Sequence, residues 1–282
     1  MTGIFRSPDG SLLLFQPDGG WRQAPASLSL DAVFTAEAPE SVADDAYAQG
    51  TPCDAVDPIE TEWAAPVQSQ EIWAAGVTYF RSRAARMEEA EKAGGDIFYD
   101  KVYEAPRPEL FFKATPARAR GHHDALGIRR DSTWDVPEPE LTLAISSRGQ
   151  VFGCTIGNDM SSRSIEGENP LYLPQAKVYT GSCGLGPALW VGHLPSASTT
   201  IRLTIRRGGQ IAFSGQTQVS QLKRTFDELA HWLFRHNEFP LGALLMTGTG
   251  IVPDSDFTLR PGDETIIAID GLGELRNAIE AV

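Results

Sequence analysis

The sequence predicts an α+β protein that is mostly β, with a small N-terminal domain over residues 1–65 and a larger domain over residues 70–282. Three observations carry this expectation. Short apolar runs bounded by Gly, Pro and Asp turns outnumber helical patterns. Strand and helix patterns do not alternate regularly, which argues against a doubly wound sheet or a TIM barrel and for a mixed, largely antiparallel arrangement. The first 65 residues also differ in composition from the rest of the chain. At 282 residues with 41% hydrophobic content, the chain can bury a sizeable core without a disulfide or metal staple.

Taken in order, Gly3–Arg6 and Leu12–Gln16 flank the turn Ser7-Pro8-Asp9-Gly10 and read as a hairpin. The Ala-, Pro- and acid-rich stretch from Ala24 to Pro58 reads as a loop-rich connection. Ile72–Thr78 is a short apolar strand ending Gly76-Val77-Thr78, with Tyr79 next. Residues 80–94 lack Pro, are rich in helix formers and end at Gly94-Gly95, so they read as a helix. Its polar faces suit either a solvated helix or a cover over a polar site. Thr200–Arg206 with Gln210–Ser214, and Phe257–Arg260 with Thr265–Ile269, read as hairpins around Gly-containing turns. Between them, Thr225–His236 is amphipathic, with Phe226, Leu229, Trp232 and Leu233 near one face.

Charge narrows the function. Lys plus Arg is 24 against 37 Asp plus Glu, a net charge of −13. Nucleic acid and anionic membrane surfaces both require a positive footprint, so neither is expected as a partner. No apolar run approaches the roughly 18 residues of a membrane span, and the start lacks the pattern of a secretory signal. Cys53, Cys154 and Cys183 are far apart and odd in number, as expected of free thiols in the cytoplasm.

The chemistry concentrates in Pro137-Glu138-Pro139-Glu140, the strand Leu141–Ser146, a Gly turn and the strand Val151–Asp159. Glu138 and Glu140 are two apart, so an extended chain points both carboxylates to one face. A two-residue loop at Arg148-Gly149 pairs Ser147 with Gln150. Counted back along both strands, that register sets Glu138 opposite Asp159, with Cβ atoms roughly 5 Å apart. Three carboxylates in one place need a positive partner. Oxygen-only ligands suit a hard cation, Mg²⁺ first, with Mn²⁺ or Ca²⁺ as substitutes; the alternative is a solvated acidic hairpin end. Lys113, closing the apolar run Glu109-Leu110-Phe111-Phe112, and Lys177, in weakly charged surroundings, are either site residues or snorkelling surface lysines. Thr247-Gly248-Thr249-Gly250 offers hydroxyls and amides for a carboxylate, or is a plain loop. His122-His123 would point to opposite faces of an extended chain and so would not share a metal.

From about Ile72 to Val282 the sequence resembles the fumarylacetoacetate hydrolase superfamily. The resemblance lies in Gly76-Val77-Thr78-Tyr79, Pro108-Glu109-Leu110-Phe111-Phe112-Lys113, the Glu138/Glu140 pair, Asn158-Asp159-Met160-Ser161-Ser162-Arg163 and Gly248-Thr249. It implies a mixed β-roll, Mg²⁺ held by Glu138, Glu140 and Asp159, Lys177 beside the metal, and small 2-oxo acids as substrates. On that basis Glu109, Lys177 and Lys113 are catalytic candidates, and Thr249, Gly248 and Tyr79 are substrate-binding candidates. Two departures bear on the reaction. The segment Phe80-Arg81-Ser82-Arg83-Ala84-Ala85-Arg86 lacks the histidine that hydrolases of the family carry to activate water. The context of Lys177, Glu168-Asn169-Pro170-Leu171-Tyr172-Leu173-Pro174-Gln175-Ala176, resembles the branch that dehydrates 2-keto-3-deoxypentonates.

The expectation is therefore an Mg²⁺-dependent dehydratase that converts 2-keto-3-deoxy-D-arabinonate to 2,5-dioxopentanoate through a metal-stabilised enolate. Glu109 moves the proton and Lys177 balances oxyanion charge, with Glu88 or Glu89 as alternatives to Glu109. Competing readings are C–C bond hydrolysis of an acylpyruvate, oxaloacetate decarboxylation, and a non-catalytic scaffold. A homodimer or homotetramer is expected from the resemblance.

Overall fold

The computed structural model describes residues 1–79 and 101–282; the expected helix at 80–94, with Glu88 and Glu89, lies outside them. The chain runs through β1 (Thr2–Arg6), β2 (Leu12–Gln16), β3 (Gly20–Gln23), α1 (Leu30–Thr35), α2 (Pro39–Gln49) and β4 (Thr51–Pro52). Then come β5 (Glu71–Gly76), β6 (Glu109–Ala114), β7 (Ala119–Arg120), β8 (Leu126–Ile128), β9 (Asp135–Val136), β10 (Pro139–Ile145), β11 (Val151–Asp159) and β12 (Ser161–Ser162). The short helices α3 (Arg163–Glu168) and α4 (Leu173–Lys177) lead to β13 (Cys183–Val191), β14 (Thr200–Arg207) and β15 (Gln210–Gln218). The last elements are α5 (Phe226–Phe234), β16 (Ala243–Met246), β17 (Glu264–Ile269) and β18 (Gly273–Ala281). No helix among the described residues is long and apolar enough to cross a membrane.

One large mixed sheet runs in the order β4-β3-β2-β1-β13-β11-β10-β16-β5-β6, with β7 beside β13. A second sheet runs β15-β14-β17-β18-β8. The mostly-β α+β class is borne out. The N-terminal hairpin forms where its turn residues placed it, with Gly10 at φ 89°. It continues the large sheet, because β1 pairs antiparallel with β13 from Thr2↔Val191 to Phe5↔Ala188.

The stretch expected to be loop-rich holds two helices instead. Ser29 caps α1 by accepting from the Ala32 N–H, and Pro39 opens α2. Both are local start signals that the alanine- and acid-rich composition obscured. The Thr225–His236 helix shortens to α5, because Thr225 is its cap, its hydroxyl accepting from the Glu228 N–H at 3.1 Å. Phe257–Arg260 is not a strand. The Leu259 N–H donates to the Asp135 carbonyl, and β17 hairpins forward onto β18 around Gly271-Leu272.

The β10–β11 hairpin is the centre of the large sheet and carries the site. On one face Leu141, Leu143 and Ile145 enter the main core, while Glu138, Glu140 and Thr142 alternate onto the other. Its tip differs from the expected one. The Ser146 N–H donates to the Gln150 carbonyl at 2.8 Å, so the loop is the three residues Ser147-Arg148-Gly149. A bulge at Phe152 then absorbs one residue between Ile145↔Val151 and Ala144↔Gly153. The two departures cancel. Pro139 pairs with Asn158, and the Asp159 N–H donates to the Glu138 carbonyl at 2.9 Å.

Candidate metal centre

Glu138, Glu140 and Asp159 are all buried, and one carboxylate oxygen of each lies within 4.8 Å of the others. Strand alternation aligns the two glutamates, and the antiparallel register brings Asp159 across from Glu138. Three buried carboxylates at this spacing repel strongly, so the fold must answer them with positive charge.

Three buried cations do so. Lys113 Nζ, on β6, reaches Asp159 Oδ1 at 2.5 Å and donates to the carbonyls of Met160 at 2.9 Å and Lys177 at 2.6 Å. An ammonium has three N–H bonds, so Lys113 is fully committed to holding Asp159 and the backbone around it. Burial pulls its pKa down more than Asp159 raises it. Lys177 Nζ, at the end of α4, bridges Glu138 Oε2 at 2.7 Å and Asp159 Oδ2 at 2.9 Å, with the Phe111 ring 5.6 Å away. Arg163 opens α3 behind its Ser162 cap and donates through Nη2 to Glu138 Oε1 at 2.7 Å. Both lysines are thus site residues rather than surface ones.

Glu140 has a weaker answer. Its Oε2 accepts from the Gly248 N–H at 2.6 Å, and no cation contacts it directly among the described residues. Burial, then Asp159 and Glu138, push its pKa well above the ordinary carboxylate range, outweighing Lys177. A carboxyl pushed toward its neutral form by two neighbouring carboxylates is one that a hard divalent cation would ionise and stabilise, and the oxygen-only donor set fits such an ion.

The carboxylates open onto a narrow cleft of about 10 Å³ walled also by Gly76, Val77, Phe111, Arg163, Lys177 and Thr249. Gly248 holds φ 96°, and an added Cβ would meet the Thr78 hydroxyl. That hydroxyl donates to the Thr247 carbonyl at 2.7 Å and ties the loop to the end of β5. The Thr249 hydroxyl is engaged by the Ile251 backbone at 3.2 Å. Gly248 therefore serves Glu140, while Thr249 reaches the cleft wall. Glu109 is half-buried on β6 opposite Gly76, and its carboxylate occupies the space that a side chain at Gly76 would need. It abuts Gly76, which walls the cleft. Tyr79 is buried behind the loop, packed where a side chain on Gly250 would sit, and its hydroxyl pKa is raised by burial.

Two features were missed. Arg163 carried no assigned role, although an arginine four residues after a candidate ligand aspartate at a helix start is a signal for one. Val77 sits at φ 52°, an uncommon conformation for a β-branched residue, and nothing in the sequence announces it. The histidine pair also departs from expectation. His123 holds φ 71°, which swings both rings to one side, 4.1 Å between centroids. Both Nε2 atoms meet the Ile59 carbonyl, at 2.8 and 2.9 Å. The pair is a structural contact away from the cleft.

The family described as fumarylacetoacetate (FAA) hydrolase C-terminal matches residues 72–280. A probable 2-keto-3-deoxyxylonate dehydratase of Haloferax volcanii is 46% identical over 226 residues, covering 79% of this chain and 77% of that protein. The 2-dehydro-3-deoxy-D-arabinonate dehydratase of Saccharolobus solfataricus is 42% identical over 213 residues, covering 74% and 72%. The solved structure of a 2-keto-3-deoxy-D-arabinonate dehydratase complexed with magnesium and 2,5-dioxopentanoate superposes with TM-score 0.85 at 31% identity, covering 100% of this chain and 99% of that one. By sequence match and by fold, the chain belongs to the fumarylacetoacetate hydrolase family.

Proposed function

We propose that the protein is a magnesium-dependent hydro-lyase that converts a 2-keto-3-deoxypentonate, 2-keto-3-deoxy-D-arabinonate first, to 2,5-dioxopentanoate. The observation that carries this reading is the buried Glu138/Glu140/Asp159 cluster, balanced by Lys113, Lys177 and Arg163 beside a small cleft, in a chain 46% and 42% identical to two dehydratases of such acids. None of the five histidines lines this cleft. The water-activating role that hydrolysis needs thus has no histidine to fill it, and elimination is favoured over C–C hydrolysis.

In the reaction, C3 gives up a proton and C4 loses its hydroxyl as water. The resulting allylic alcohol tautomerises, moving protons from the C5 carbon and hydroxyl to C3 and C4, to yield the aldehyde. Magnesium held by Glu138, Glu140 and Asp159 supplies, when bound, Lewis acidity at the 2-oxo group that makes C3 acidic. Glu109, at the rim beside Gly76, takes and returns the proton. Lys177 presents its charge to oxyanion density in the cleft, while Lys113 positions Asp159. Thr249 contacts substrate from the cleft wall, Gly248 orients Glu140, and Tyr79 backs the loop that carries both.

Residues 70–282 hold all of this chemistry, and residues 1–65 extend the sheet away from it. Three free cysteines, Cys53 exposed, support a cytoplasmic location. The uncharged edge strand β15, with Ile211 66% exposed, supports assembly into a homodimer or homotetramer.

The test is to incubate the protein with Mg²⁺ and 2-keto-3-deoxy-D-arabinonate and follow the proton NMR spectrum, with an EDTA control. An aldehyde signal that requires metal is expected. Its absence, with pyruvate released from an acylpyruvate instead, would overturn the dehydratase reading.

A further inference from the structure

One face of the large sheet carries a row of aromatic rings that the metal centre does not use. Across β3, β2, β1 and β13 the register sets Trp21 beside Phe15, Phe15 beside Gly3 and Gly3 beside Trp190. Cross-strand neighbours of this kind share a face. A side chain at Gly3 would press into the Trp190 and Phe5 rings, so the glycine lets the Trp190 indole lie across β1. Four rings then meet in a closed circuit, with centroids 4.7 Å apart from Phe5 to Trp21, 5.0 Å from Trp21 to Phe15, 6.3 Å from Phe15 to Trp190 and 6.2 Å from Trp190 to Phe5. All four line a cavity of about 180 Å³.

Ile59 adds a wall that is rigidly held. His122 and His123 both donate from Nε2 to its carbonyl, at 2.8 and 2.9 Å, and the Trp63 indole N–H donates to the Pro58 carbonyl at 3.1 Å. The histidine pair thus fixes the shape of this cavity. Among the described residues Glu274, near the start of β18, is the one charged residue that lines it. Its Oε2 accepts from Arg276 at 2.9 Å, and Arg276 also stands 3.6 Å from Glu60. Two carboxylates therefore share one guanidinium, and net negative charge remains at the mouth. Electron-rich rings beside a carboxylate favour a positive charge carried on an apolar body.

We propose that this cavity binds a small organic cation of the alkyl- or quaternary-ammonium class. Phe5, Trp21 and Trp190 are only 2%, 9% and 7% exposed, so the rings are recessed and suit a free molecule rather than a headgroup or side chain tethered to something larger. Trp190 lies seven residues along β13 from Cys183, the partner of Asp159, a separation of roughly 20 Å. Occupancy of the cavity does not depend on the reaction proposed above.

Tryptophan fluorescence reads it, because Trp21 and Trp190 line the cavity. Choline is the probe, and 3,3-dimethyl-1-butanol, its uncharged carbon isostere, is the control. Choline should change the emission saturably in the millimolar range, and the alcohol should bind about tenfold more weakly. E274Q, at a half-buried position, should weaken choline about fivefold and leave the alcohol unchanged. Mg²⁺ should alter neither titration. No saturable change with choline overturns the proposal. Equal affinity for the alcohol makes the cavity merely apolar and overturns it too, as does an E274Q variant that binds choline like the wild type. Competition by Mg²⁺ would place the ammonium among the Glu138, Glu140 and Asp159 carboxylates, and binding seen only with phosphatidylcholine vesicles would assign a tethered headgroup; either result overturns the free-cation site.

Discussion

Replacing Lys113 with Met isolates what a buried cation does for this fold. The side chain is 0% exposed and fills three contacts, to Asp159 Oδ1 and to the carbonyls of Met160 and Lys177. Methionine keeps most of the volume, so the cavity term is small. Breaking a buried pair by removing one partner costs about 3–5 kcal/mol, and each orphaned carbonyl adds about 1–3 kcal/mol if nothing replaces the donor. Lys113 itself is disfavoured as a cation by burial, and losing that penalty offsets part of the sum. The expected net loss is about 4 kcal/mol. At this chain length that is a fall of about 8 °C in the unfolding midpoint, read by thermal melts in EDTA. A second variant makes the measurement specific. K113M/D159N removes both charges, and its loss should be about 2 kcal/mol smaller than the sum of the single losses. If K113M melts within about 2 °C of wild type, or if the two losses simply add, the buried pair is not what holds Asp159, and the reasoning fails.

The site and its surroundings give three further outcomes. G76A should cost little stability, because the three atoms nearest the added Cβ all belong to the Glu109 side chain and the closest is its carboxylate oxygen, the far end of a flexible chain. It should nonetheless lower kcat by about 10²-fold or more, as E109Q should, if Glu109 transfers the proton; full activity in G76A would remove Glu109 from that role. E140Q should melt higher than wild type in EDTA, because it deletes the carboxylate that burial and its acidic neighbours most disfavour. It should also lose the Mg²⁺-induced rise in melting temperature, which at 100 times Kd is worth about 2.7 kcal/mol in a competent site. Asp135 gives the pH dependence. Burial pushes its carboxyl up to about 6, so the folded state binds this proton more tightly than the unfolded chain. Its stabilising contribution is whole below pH 4 and lost as pH rises through 6. D135N should therefore gain on wild type between pH 4 and pH 7, by at most about 3 kcal/mol, and parallel melting curves across that range would refute the assignment.

What could be read without a structure was whatever rests on period and register. Glu138 and Glu140 share a face because strand geometry leaves no choice, and two apolar strands around a Gly turn are enough to carry Asp159 to them. What could not be read is side-chain traffic between distant segments. Lys113 and Lys177 meet Asp159 from positions 46 and 18 residues away in sequence, and nothing in their local context separates a buried lysine from a snorkelling one. Arg163 finds Glu138 only because α3 turns back after β12. The two N-terminal helices were hidden for a different reason. They are short, at 6 and 11 residues, and rich in alanine and acid, so packing against Ile4, Leu14 and Phe152 rather than intrinsic preference makes them fold. The histidine pair turned on one backbone angle, which no pattern encodes.

Phe152 is one residue too many for its ladder, and that surplus has an evolutionary consequence. Its ring packs edge-on against Phe34 of α1 at 4.9 Å, and the adjoining hairpin tip is held by the Ser147 N–H on the Phe34 carbonyl at 2.9 Å. Delete the codon for Phe152, and Val151 and Gly153 become consecutive partners of Ile145 and Ala144, with every later pair, including Glu138 with Asp159, still in phase. A single-codon deletion at this position would therefore remove the ring contact with Phe34 without shifting Glu138, Glu140 and Asp159 at the other end of the hairpin. The bulge thus uncouples the length of the hairpin tip from the register of the carboxylates seven pairs away.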